Sequence, residues 1–196
     1  MRSAAATAVL LLAGAMLALP ALAHVQQGQA AGFVAGLQHP VSGIDHVLAM
    51  VGVGLWGAQL GVPAIWLLPV TFPLVMAFGG FLGLVGVPLP GVEIGIAASA
   101  ILLGSMVATQ SRPPLWLAAV IVGAFAVFHG HAHGTELPPG HSGLLYSAGF
   151  VVATGCLHAT GVLIGLVHRW PWGQVALRWA GAGIAVAGLS FLLRAW

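Results

Sequence analysis

Two short stretches hold most of the side chains in this chain that could bind a metal ion or move a proton. One reads His39-Pro40-Val41-Ser42-Gly43-Ile44-Asp45-His46, the other Phe128-His129-Gly130-His131-Ala132-His133-Gly134-Thr135-Glu136. Residues four apart on a helix share a face, so His129 and His133 can aim their imidazoles at one point. Glu136 joins them if the helix continues that far, and His131 points elsewhere. In the first stretch Pro40 suits the opening turn of a helix, where its missing N–H would be unsatisfied anyway. That places His39 at the helix mouth and His46 two turns along the same side. Asp45 is either a direct ligand or the partner that orients a histidine through its second ring nitrogen. Imidazole nitrogens with a few carboxylate oxygens suit nickel, cobalt, zinc and copper(II), and suit calcium or magnesium poorly. The single cysteine, Cys156, excludes an internal disulfide and any multi-cysteine zinc or iron–sulfur centre.

These groups need elements to carry them, and composition says what kind. Hydrophobic residues are 60% of the 196 and charged residues only 4%, too few to hydrate a soluble domain of this size. The chain therefore belongs in a lipid bilayer. Its five arginines are too dispersed to form a nucleic-acid patch, and no phosphate-binding glycine loop points to a nucleotide hydrolase. The apolar runs are long and continuous rather than short and alternating, which favours helices over a closed barrel. The fold expected is an all-α, polytopic membrane helix bundle with six transmembrane helices. The spans fall near 43–60, 64–86, 92–110, 114–133, 143–167 and 174–194, with Pro63, Pro69 and Pro73 bending the second. The 29 glycines include Gly79 with Gly83 and Gly161 with Gly165, spacings that let membrane helices approach closely.

Orientation follows from two independent signals. Met1-Arg2, an alanine- and leucine-rich run and Ala21-Leu22-Ala23 form the pattern of a signal peptide, residues 1–23, cleaved after Ala23. Residues 24–196 then form one transmembrane domain with both termini periplasmic. Arg112 and Arg169 fall in cytoplasmic connections and Arg178 near the inner end of the last span, as the positive-inside tendency requires. Only Arg194 sits near the outer end. Both histidine clusters thereby reach the outer face, together with all three acids of the chain, Asp45, Glu93 and Glu136.

Other residues invite a metal reading beside a structural one. His24, as a new N-terminus, would carry an amine and an imidazole on one residue. Glu93 is a third-span ligand or only a favourable charge at a helix start. His158, near mid-membrane beside Thr154, Cys156 and Thr160, is an inter-helix hydrogen-bonding group or a station on a path. His141 and His168 read as interface residues, and Met50, Met76 and Met106 as packing.

The two clusters resemble the signatures of the HupE/UreJ family of nickel and cobalt permeases, HPxxGxDH in the first mature span and FHGxAHGxE in the fourth. His39, Pro40, Gly43, Asp45 and His46 match the first; Phe128, His129, Gly130, Ala132, His133, Gly134 and Glu136 match the second. The likeness implies that His39, Asp45, His46, His129, His133 and Glu136 are the required metal residues, while His131 occupies a variable position of the pattern and His24, Glu93 and His158 are further candidates on their own chemistry. It also implies uptake of Ni2+ or Co2+ through the bacterial inner membrane, associated with hydrogenase or urease maturation, and no enzymatic activity. The ion would be cargo, with no permanently bound cofactor. The competing expectations are a haem- or metal-binding membrane redox protein, and a metal sensor or chaperone without transport.

Overall fold

The computed structural model describes residues 29–136 and 142–195, so the expected signal peptide, His24 and His141 lie outside the described residues. Seven α-helices and one 3-10 turn make up the described chain, with no strand among them. They are α1 (Gln29–Ser42), α2 (Ile44–Leu60), α3 (Ala64–Leu84), α4 (Val92–Thr109), α5 (Leu115–Thr135), α6 (Gly143–Gly165), the turn Leu166–Arg169, and α7 (Pro171–Leu192). Five of these are long and apolar enough to cross a membrane, and α1 with α2 makes a sixth crossing if that bent pair is one span. The expected span limits agree with α2 to α7 to within a few residues.

The start of the first span departs from expectation. Pro40 does not open a helix; it lies inside the last turn of α1, and the chain breaks at Gly43, whose backbone is extended. The axes on either side of the break differ by 82°. Inside a last turn Pro40 leaves the Gly36 carbonyl without its helical donor, which weakens the end of α1 and favours the break that follows at Gly43. The Ser42 hydroxyl donates to the His39 carbonyl at 2.6 Å, occupying an acceptor that the helix end would leave free. His39 and His46 therefore stand on two different helices and not along one face.

The bundle is built from close helix pairs: α3 with α5, α4 with α7, and α6 with both α1 and α2. Glycine makes the closeness possible. A Cβ on Gly130 would lie 2.0 Å from the Met76 carbonyl oxygen, one on Gly134 2.1 Å from that of Gly80, and one on Gly54 2.3 Å from that of His158. Backbones this near gain dispersion contacts, which drive association in lipid where burial from water does not. These contacts also align the helices. The starts of α2, α4 and α6 and the ends of α3 and α5 share one end of the bundle, called here the upper end. The pairs Gly104 with Ala185 and Gly181 with Ala108 run α7 antiparallel to α4, so α7 finishes there too.

The surface is as apolar as the interior, with Trp66, Leu74, Trp116 and Leu163 all more than two-thirds exposed. Seven polar residues are inside: Gln59, Ser99, His129, His131, His133, Thr154 and His158 are buried. That inversion suits a lipid solvent and makes the chain a multi-pass membrane protein. Met50 and Met76 pack in the core, and Met106 packs against it, as the packing reading expects.

Candidate metal centre

Four elements deliver the clusters to the upper end. The last turn of α1 brings His39, the first turn of α2 brings Asp45 and His46, and the final turns of α5 bring His129, His133 and, at its C-cap, Glu136. The fourth, α6, supplies the wall. At its centre the His46 ring lies 4.8 Å from the His129 ring and 4.4 Å from the His133 ring, centroid to centroid. One imidazole of α2 thus faces the pair that α5 displays four residues apart.

Two of these rings, His46 and His129, are each held at one nitrogen so that the lone pair of the other is free. Asp45 Oδ1 accepts from the His46 backbone N–H and from His46 Nδ1–H, both at 2.9 Å. This puts the proton on Nδ1 and leaves Nε2 as acceptor, buried and without a partner. Ser99, on α4, does the same for His129. Its hydroxyl donates to the Ile96 carbonyl at 2.6 Å, so toward His129 Nε2, at 2.9 Å, it can only accept. His129 then carries Nε2–H and presents an unpartnered Nδ1. Neither nitrogen of His133 has a hydrogen-bond partner. Buried polar atoms are ordinarily satisfied, so three neighbouring imidazoles with unpartnered nitrogens are candidate donors to a metal ion.

Above this trio sits a more exposed layer. His39 Nε2–H donates to Glu136 Oε2 at 3.0 Å, and the same oxygen is 3.9 Å from His133 Nδ1. His39, His133 and Glu136 each offer one ligand atom, all within 4.8 Å of one another. The His39 and His133 rings meet edge to face at 4.7 Å, and Phe150 of α6 packs on His133 at 4.3 Å.

The further candidates fall elsewhere. His131 Nε2–H donates to the Val87 carbonyl at 2.7 Å, tying α5 to the α3–α4 connection and facing away from the trio, as its helical position requires. Glu93 lines a cavity of about 230 Å³ with Asp45 and Arg194. His158 is deep in α6 with Phe72 at 5.3 Å, and His168 donates from Nδ1 to the Gly165 carbonyl at the opposite end of the bundle. Three contributors escaped the sequence reading: Ser99, Tyr146 and Phe150. Ser99 was the most findable, being a hydroxyl in an apolar span, though Ser105 and Thr109 share that span and nothing local pairs Ser99 with His129.

The family described as HupE / UreJ protein matches residues 9–191. The protein HupE of Rhizobium leguminosarum bv. viciae is 47% identical over 180 residues, which cover 91% of this chain and 94% of that protein. No solved structure matches.

Proposed function

The chain belongs to the HupE/UreJ family, and from that premise we propose that it admits a divalent transition metal ion, Ni2+ first and Co2+ second, through the bacterial inner membrane. The observation that carries this is the facing of the part-buried His46 with the buried His129 and His133, each with an unpartnered buried nitrogen. His39 and Glu136 form the outer layer that first replaces water on the ion, and Asp45 serves by orienting His46. Arg112, Arg169 and Arg178 at the opposite end support a cytoplasmic assignment there, and with it a periplasmic histidine end and C-terminus.

The ion is cargo, passed by secondary transport or facilitated diffusion. A double positive charge moving inward across 100 mV gains roughly 4.6 kcal/mol, enough to drive accumulation without ATP. Selectivity rests on ligand number and geometry, since intrinsic affinity alone favours copper. The hydrogenase or urease connection is the metabolic use that the family resemblance suggests. No catalytic role is assigned.

The test is entry of radioactive nickel into proteoliposomes holding the full chain, with cobalt, zinc and copper as competitors and with or without an imposed potential. Potential-driven entry that a His46→Ala, His129→Ala double variant abolishes supports the reading. Unchanged entry in that variant rejects the site. A Soret band with haem stoichiometry would instead favour the membrane redox alternative, and tight binding with no entry a sensor or chaperone.

A further inference from the structure

Helix α6 carries Tyr146, Phe150, Thr154 and His158 at a constant spacing of four, one stripe running down from the metal cluster into the membrane. Its upper members touch that cluster: Tyr146 and Phe150 pack against His39, and Phe150 against His133. The polar atoms of the stripe are all idle. Tyr146 Oη, Thr154 Oγ1 and both nitrogens of His158 are buried without a hydrogen-bond partner. Thr154 is 0% exposed and His158 1%. The contrast with other hydroxyls in the bundle is sharp, because Thr160 and Ser105 each satisfy themselves on the carbonyl four residues back. Thr154 makes no such bond.

The facing wall is α3, and it too offers a free group. Pro73 has no N–H, so the Pro69 carbonyl loses the helical donor that would normally occupy it. That carbonyl lies against the His158 imidazole at the margin of hydrogen-bonding geometry. Phe72, between the two prolines, puts its ring 5.5 Å from His129 and 5.3 Å from His158. One ring therefore separates the lowest histidine of the cluster from the histidine beneath. Above Phe72 the seam between α3 and α6 opens into a cavity of about 440 Å³ that reaches His133, Tyr146 and Phe150. By helical rise, His129 lies about 9 Å below the upper end of α5 and His158 about 22 Å below that of α6.

We propose that His158, with the Thr154 hydroxyl and the Pro69 carbonyl, is a second, membrane-buried station for the divalent ion, reached from the outer cluster past Phe72. The inference rests on the transport reading above. Its donors are one imidazole and two neutral oxygens, with no carboxylate, so it holds the ion more weakly than a cluster containing Glu136. A path needs such a site, favourable enough to receive the ion and weak enough to release it. An idle hydroxyl and imidazole one helical turn apart, beside a carbonyl that has lost its helical donor, are costly in lipid unless something visits them.

The test compares the full-length wild type with His158→Gln and Thr154→Val. Each is measured for nickel entry in proteoliposomes, for nickel binding in detergent by equilibrium dialysis, and for thermal unfolding. The expected result is entry slowed about tenfold or more, the scale on which loss of one metal-supporting group acts, with binding at the outer cluster and the unfolding midpoint retained. Gln keeps a donor for the Pro69 carbonyl, and Val removes only an unsatisfied hydroxyl, a change that is neutral or stabilising if Thr154 merely packs. Wild-type entry rates in His158→Gln overturn the station, as does slowing matched by equal losses of outer binding and stability. If His158→Gln does not fold, Thr154→Val decides, and an unchanged rate there overturns it. A wild-type chain that admits no nickel overturns the transport reading itself, and the station with it.

Discussion

His39 Nε2 and Glu136 Oε2 are 97 positions apart in sequence and 3.0 Å apart in space. That contact joins the end of α1 to the end of α5, and it brings the two signature stretches into one vestibule at the upper end of the bundle. A transport path that depends on both stretches requires such a meeting, and its geometry makes several outcomes measurable.

Asp45→Asn should weaken nickel binding by about 10–100-fold, the usual range for a group that orients a metal-bound histidine. The amide oxygen can still accept from the His46 backbone N–H, but it no longer offers a carboxylate to Nδ1–H. Calorimetric titration of the purified chain checks this, and affinity equal to wild type would remove Asp45 from the orienting role.

Ser99→Ala should strike His129 although residue 99 touches no ion. The substitution leaves a buried Nε2–H without its acceptor, a loss of about 1–3 kcal/mol, and lets the ring choose the other tautomer. Lower thermal stability together with weaker nickel affinity is expected. Lower stability with affinity intact would show that the tautomer is held by something else.

Histidines two positions apart on α5 should behave oppositely. His131→Gln keeps a donor for the Val87 carbonyl and should transport near the wild-type rate. His133→Gln removes an imidazole from the centre of the cluster and should lose most uptake. Equal losses in both would mean that His131 has a role which its contacts here do not give it.

Among the glycines, Gly130→Ala and Gly134→Ala should yield little folded protein, since each new Cβ would collide with backbone of α3 at about 2 Å. Gly155→Ala faces open space and should change stability by no more than about 0.5 kcal/mol. Yields and melting curves in detergent decide it, and a well-folded Gly130→Ala would contradict the observed helix spacing.

The bundle was largely legible in the sequence. Whether twenty residues sit in lipid depends on their summed transfer free energy, a local quantity, so the limits of α2 to α7 could be read residue by residue. The spacings of Gly79 with Gly83 and Gly161 with Gly165 likewise announced close packing, and these glycines do meet the backbones of α5 and α2. Four-residue spacing on one helix gave His129 and His133 a common face, whereas the full signature set was named from the resemblance to the family's motifs.

What the tertiary structure alone decided concerns relations between helices. The break at Gly43, which parts His39 from His46, depends on α1 finding a surface on α6. The facing of His46 with His129 and His133, the pairing of Ser99 with His129, and the placement of His158 against Phe72 depend on how each helix is rotated about its axis. Helix formation and burial in lipid are settled by neighbours within a turn or two, whereas axial rotation is settled only when whole helices pack. Chemistry at this site is done by side chains that the packing, and not the spacing, brings within reach.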